Sequence, residues 1–514
     1  MRNFLPRPVA QQSGRQVSES RRRLAPVGGW NARDPKDSMR PDEAIELVNL
    51  FPTAGKVTTR PGTVLHCDAG TSQPISRMYE FEYGANHRLV AASAGLLLDV
   101  TSSNPRVLGG GFASDYWSGA TLSGRLLLAN GTDLMQSFDG STLSPAAFTG
   151  ISTDELSFVH VHKSRVFAIQ RGTQTFWFGD PQAIAGPLSD FDLSLVGSFG
   201  GDLLTAMTIS RDGGLNGPDD FLIFIFTSGD AIIYQGTDPG DPEAWSQVGH
   251  FKVGRPLGRF AGMEYGDDVL VLTERGYESV KASIPFGDIT SKAKILSSQI
   301  QDAVASAVKR NRSNDAWHAA AYQSKEMLVI NVPTSDGTKT EQHVMNLTTK
   351  KWARFLDINA TSWCGFGGSM FLGTIDGRVL WFDGAPSDLG EPIKCWALTA
   401  WDYLDDATRV KHHKLQRLVF ESEQMPDVRI SIGTDFQYTP TGGRVTFVTN
   451  PVVAYWDEAY WDTDQFGPDT EVVQGWIKCP GIGVASSCRV FIVAKDAAVS
   501  WNGIYYVFER GSYI

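Results

Sequence analysis

The sequence predicts an all-β protein: a β-propeller of about six to eight blades with an inserted helix, followed by a C-terminal β-sandwich or barrel-like domain. Three observations predict it. Short apolar runs recur in pairs around glycine turns, at intervals of roughly 35–60 residues, which brackets the period of a four-stranded blade. The 514 residues include 52 glycines and 14 tryptophans. Glycine supplies tight turns, and aromatic side chains favour half-buried pleated strands. Beyond residue 391 the runs become shorter alternating strands without that paired recurrence.

In chain order, residues 1–26 are polar, basic and proline-containing, and read as a flexible arm. Residues 1–33 hold seven arginines against one acid, Glu19, in a chain of net charge −11. Arg15, Arg21, Arg22 and Arg23 are therefore candidate docking residues for DNA phosphates or an acidic protein surface. Residues 27–63 form a dense extended segment. A helix is expected over 41–50, where Pro41 leads and Asp42 and Glu43 fill a first turn. Trp30, in the same segment, is a further candidate docking residue.

Residues 64–390 carry the propeller signal in seven hairpins. Their turns lie at Gly95, Gly131, Gly172, Gly229, Gly276, Gly337 and Gly377. Asn130-Gly131, Asp336-Gly337, Asp376-Gly377 and Asp383-Gly384 are pairs that tolerate positive φ. One stretch breaks the pattern. Over 291–310, Leu296, Ile300, Val304 and Val308 recur at i, i+4 beside a row of Ile295, Gln299, Ala303 and Ala307, which predicts an amphipathic helix capped by Ser291. It either packs on the propeller flank or serves as a subunit contact.

Residues 391–514 form the C-terminal β-domain. In Val428-Arg429-Ile430-Ser431-Ile432 the apolar side chains share one face. Ala454–Asp462 gives the phrase Tyr-Trp-Asp twice, and Pro451 to Gln474 holds six acids and no Lys or Arg. Trp456 and Trp461 either pin a long loop or dock a partner.

Catalytic signatures are absent: there is no GxSxG, HExxH, Walker loop or GxGxxG opening a helix. His160 and His162, two apart on a strand, share a face but lack an identifiable third ligand. Lys411-His412-His413-Lys414 is expected to cap a loop or meet an acidic neighbour. The five cysteines are scattered, with no CxxC pair, and read as small core residues in a reducing cytosol. No enzymatic activity, cofactor or metal is expected. No apolar run approaches the ~20 residues of a membrane span, and the N-terminus lacks the apolar stretch of a secretory signal.

The segment from Gly28 to Gly62 resembles the N-terminal signature of tail hub, or nozzle, proteins of short-tailed (podovirus-type) bacteriophages. The matching features are Gly28-Gly29-Trp30-Asn31, the Asp34–Asp37 turn, a short acidic helix at Asp42–Asn49, the Phe51-Pro52 step and the Arg60-Pro61-Gly62 turn. The repeated phrase ending in a glycine loop, Tyr455–Gly467, is similar to a second feature of that family. The resemblance implies a structural protein of the virion tail, made in the host bacterial cytoplasm. It implies a ring of identical subunits, a hexamer, that docks the head-to-tail adaptor and portal complex and the tail fibres or spikes. Genomic DNA would pass through the lumen during ejection without sequence-specific binding. A net negative body suits a conduit, and the basic arm would order on an adjacent ring. The competing class is a carbohydrate-binding or carbohydrate-active propeller, which calls for three or more acids converging on one funnel mouth.

Overall fold

The computed structural model describes residues 18–212, 218–266, 268–280, 294–312, 314–333, 340–438, 443–445 and 471–513. Seven four-stranded antiparallel units follow one another among them. Six are separate sheets, and the sixth in chain order is the strands His318–Tyr322, Met327–Val332, Glu341–Asn346 and Trp352–Phe355 of a larger sheet. We number them units 1 to 7, beginning at residues 77, 118, 156, 203, 262, 318 and 360. Each hairpin predicted from the sequence is the second and third strand of one unit. The turns work as glycine requires: Gly131 and Gly377 sit at φ 76° and 87°, where a Cβ would be strained.

The units close into a ring through their first strands. Those of units 2 and 3, 3 and 4, 4 and 5, 5 and 6, and 6 and 7 touch in order, and unit 7 returns to unit 1. Units 1 and 2 meet where the Tyr79 hydroxyl donates to the Trp117 carbonyl at 2.5 Å and the Tyr79 ring covers Gly119. Unit 7 is completed by Thr63–Asp68, a strand that precedes unit 1 and pairs with Arg378–Phe382. This circular order with a shared closing strand is β-propeller architecture. Apolar side chains fill the space between neighbouring units. Phe167, Phe176 and Phe224 of units 3 and 4 are an example, with the last two rings stacked at 4.5 Å.

The C-terminal domain is a sandwich of two sheets. One contains Arg409–Ser422, Glu471–Gly483 and Val499–Tyr513, and the other Ile393–Thr399, Asp427–Thr434 and Ser486–Ala494. Leu418, Phe420, Ile504 and Phe508 on the first and Ile430, Val490 and Ile492 on the second belong to one buried core. The N-terminal segment is woven into both sheets. Leu50–Pro52 and Val57–Thr59 extend the first, and Glu43–Val48 pairs with Ile393–Thr399 in the second. The latter strand also touches Arg354 of unit 6, so propeller and sandwich share a sheet.

Three expectations are corrected here. The helix over 41–50 is instead the strand Glu43–Val48, because partners some 350 residues away in sequence outweigh the local helix-start signals. The helix over 291–310 is shorter: a 3-10 turn at Leu296–Ile300 leads into an α-helix at Gln301–Arg310, while Lys294–Ile295 is a strand of unit 5. Its Ile300, Val304, Ala307 and Val308 are buried in the core, which fits the flank-packing alternative. Ser291 and Asp336-Gly337 lie outside the described residues. The arm is also not free throughout. Ser18–Leu24 is an edge strand paired antiparallel with Val499–Tyr513.

The resembling segment forms a buried polar clamp between the two domains. The Arg60 side chain is fully buried and donates to Asp388 Oδ1 and Oδ2 at 2.9 and 2.5 Å, to Asn49 Oδ1 at 3.1 Å and to the Pro61 carbonyl at 2.9 Å. Asn49 also donates to the Lys394 carbonyl and accepts from the Leu356 amide, both at 2.8 Å. Asn31 bridges Asp34 and Glu43, at 2.8 Å each. Gly62 passes so close to Ser387 that a Cβ would stand 2.2 Å from its carbonyl oxygen. Gly62→Ala is expected to cost about 1–3 kcal/mol as the backbones separate, read as a lowered thermal midpoint.

Candidate functional site: the mouth of the propeller

Where the first strands begin, two sets of loops surround a cavity of about 660 Å³. The turns between second and third strands contribute Asn130, Arg171, Thr227 and Glu274, and the segments leading into the first strands contribute Asp202, Arg255, Arg259, Arg312 and Asp315. Four guanidiniums and three carboxylates thus line one concavity. Arg259 pairs with Asp315 at 3.1 Å and Arg312 with Glu274 at 2.5 Å. Arg171 and Arg255 are exposed, and among the described residues no ion pair reaches either one. The loop bearing Asp202 is fixed by Thr227, whose amide donates to the Asp202 carbonyl at 2.9 Å and whose Oγ1 accepts from the Asp202 amide at 3.0 Å.

Next to the mouth, a cluster of side chains joins several units. The guanidinium of Arg77, from unit 1, lies 3.7 Å over the ring of Phe260 and donates to the Asp315 carbonyl at 2.6 Å. Arg259 donates to the carbonyls of Asn130 at 2.8 Å and Ser157 at 3.3 Å. Groups from units 1, 2, 3 and 6 and the segment before unit 5 therefore meet on the ring axis. Burial pulls the Arg77 guanidinium down to about 10, so it stays charged at neutral pH.

Farther along the first strands, His160 Nε2 and His162 Nδ1 lie 2.8 and 3.0 Å from Thr208 Oγ1. Glu264 accepts from the Thr208 amide at 2.5 Å and lies 3.8 Å from His160 Nε2. Burial lowers His160 to about 3 and His162 to about 4, so both imidazoles are neutral at pH 7, and it raises Glu264 above the usual carboxylate range. The histidines are satisfied chiefly by a hydroxyl, although His162 Nε2 is buried without a partner.

The candidate residues from the sequence fare differently. Arg23 donates to Asp402 at 2.5 Å and to Asp405 at 2.7 Å, and Arg21 pairs with Asp405 and Glu19 at 3.2 Å each. The acidic surface these two arginines meet within the chain is its own loop of Asp402 and Asp405. Arg22 faces the other way, exposed, 5.8 Å over the Tyr505 ring. Arg417 follows at 4.2 Å from Tyr505 and 5.0 Å from Trp476. Trp30 is buried edge-on against His343 at 5.4 Å and cannot dock a partner. Arg15, Trp456 and Trp461 lie outside the described residues. Lys411 and His413 point into the sandwich, whereas Lys414 meets Glu509 at 3.1 Å as expected. All five cysteines are free. Burial pushes Cys67 up to about 11 and Cys479 up to about 12, which suppresses the reactive thiolate.

Arg23→Ala is expected to loosen the edge strand, so that trypsin cleaves after Arg21 and Arg22 several-fold faster than in wild type. An unchanged cleavage rate would show that main-chain pairing alone holds the strand.

No protein-family profile matches the chain, and no curated protein matches it. Among solved structures, the chain is similar to Sqt1 of Saccharomyces cerevisiae at 10% identity and TM-score 0.39, over 66% of this chain and 96% of that one. It is similar to YCF48 from Cyanidioschyzon merolae at 11% identity and TM-score 0.39, over 62% and 98%. It is also similar to BBS1N, solved in complex with ARL6DN, at 10% identity and TM-score 0.41, over 64% and 99%. Among the described residues, no helix is long and apolar enough to cross a membrane.

Proposed function

We propose that the chain is a structural subunit of a short bacteriophage tail, a hub or nozzle ring that docks the adaptor and the fibres or spikes and encloses the path of the ejected DNA. The observation that carries this reading is the clamp. The residues through which the sequence resembles tail hub proteins, Gly29, Trp30, Asn31, Asn49, Arg60 and Gly62, are buried or closely packed where propeller joins sandwich. They build architecture and perform no chemistry, which suits a protein selected as a rigid part. Arg77, Phe260 and Arg259 pack together between units of the propeller, and in this reading DNA passes between copies, through a lumen that a closed ring makes. The test is the mass in solution by light scattering, with and without a portal–adaptor complex. A ring in either condition supports the reading, and a monomer that ignores the complex removes it.

One observation favours a second reading, a carbohydrate-binding propeller. Asp202, Glu274 and Asp315 converge on one mouth. Two of the three are held in ion pairs with arginines, which suits binding better than the acid–base work of hydrolysis. A glycan array would show no bound sugar if this reading fails.

A further inference from the structure

We propose that the mouth binds a small hydroxylated ligand through an oxyanion, either a carboxylate or a phosphate, that engages Arg171 and Arg255. The pairing pattern argues for it. Glu274 and Asp315 are each consumed by a neighbouring arginine, at 2.5 and 3.1 Å, so neither neutralises the two remaining guanidiniums. Arg171 and Arg255 come from different units yet line the same concavity. With Asp202 the one remaining carboxylate of the mouth, the two guanidiniums outnumber it and leave a net positive charge that favours an anion. A guanidinium offers a planar fork of donors that fits a carboxylate or phosphate edge.

The rest of the wall sets the remainder of the ligand. Asp202 has no side-chain partner among the described residues and can accept from a hydroxyl. Thr132, Ser157 and Thr227 add hydroxyls of their own. At about 660 Å³ the cavity lies within the range of sites for small ligands. An acidic sugar or a phosphorylated small molecule has the required combination. The site does not depend on the ring proposed above, since all its residues lie within one chain.

The test is calorimetric titration of the full chain at low ionic strength with glucuronate, inorganic phosphate and glucose. At least one anion is expected to bind, and glucose is not. The double variant R171A/R255A is expected to weaken anion binding at least tenfold while keeping the wild-type urea midpoint, because both side chains are exposed and form no ion pair among the described residues. Arg171→Gln alone, a milder change, is expected to weaken it several-fold. Tighter binding of glucuronate identifies an acidic sugar, and binding of phosphate alone identifies a phosphorylated ligand. Failure of both anions, equal binding of glucose, or wild-type affinity in the double variant would overturn the proposal. Light scattering on the same samples separates this outcome from failure of the ring.

Discussion

Replacing Arg60 with methionine is expected to cost about 3–5 kcal/mol, the range for breaking a buried pair by removing one partner. The side chain is fully buried and serves five acceptors on four residues: two Asp388 oxygens, Asn49 Oδ1, and the carbonyls of Pro61 and Leu356. Methionine fills much of the volume but leaves Asp388 without its bidentate partner and Asn49 Oδ1 with only the Leu356 amide. Lysine should recover little, because a single ammonium cannot reproduce the fork. Urea unfolding measures the loss, and a change under about 1 kcal/mol would show that the junction is held by apolar packing instead. Because the clamp joins two domains, its loss should also split one cooperative transition into two.

The second large effect is expected from pH. Five histidines have folded values below the usual 6.5: His160 about 3, His162, His343 and His413 about 4, and His318 well below. Burial is the main cause for each. The unfolded chain takes up these protons near pH 6.5, while the folded chain resists until pH 4 or lower. Their contribution is therefore complete above pH 6.5 and is lost as pH falls toward 4. Each histidine carries a slope of about 1.4 kcal/mol per pH unit in that window, so going from pH 7 to pH 5 should cost several kcal/mol. The raised Glu264 acts in the opposite direction and offsets part of the loss. His413 isolates one proton, since its ring lies between Tyr506 and Phe508 with both nitrogens unpartnered. His413→Leu should flatten the pH dependence of the urea midpoint by about one proton. An unchanged slope would place the proton uptake elsewhere.

Much of the propeller was legible because its signals are local. A hairpin needs two apolar runs and a residue that accepts positive φ, and all of that lies within about a dozen residues. The strand Glu43–Val48 was not legible. Pro41, Asp42 and Glu43 describe a helix start, and only pairing with residues 396–399 decides otherwise. Arg60 reads as part of a turn, and nothing nearby announces Asp388. Arg21 and Arg23 look like an unattached basic tail until the loop of Asp402 and Asp405 folds beside them. The mouth was missed for the same reason, although a signal existed. Arg171-Gly172 is the hairpin turn of unit 3, and Glu274 precedes the turn glycine of unit 5. Turns at equivalent places in successive units must fall on one face, so aligning the hairpins would have gathered these charges.

The antiparallel pairing of Ser18–Leu24 with Val499–Tyr513 also bears on biosynthesis. Glu19 and Arg510, joined by an ion pair at 2.7 Å, are 491 residues apart in the chain. At roughly 5–20 residues per second, a ribosome needs on the order of 25–100 s to travel between them. For that interval Ser18–Leu24 waits without its partner, whereas Leu50–Pro52 and Val57–Thr59 can pair at once. A chain that stops before Val499–Tyr513 therefore lacks the partner of both Ser18–Leu24 and Arg409–Ser422, and its sandwich stays incomplete.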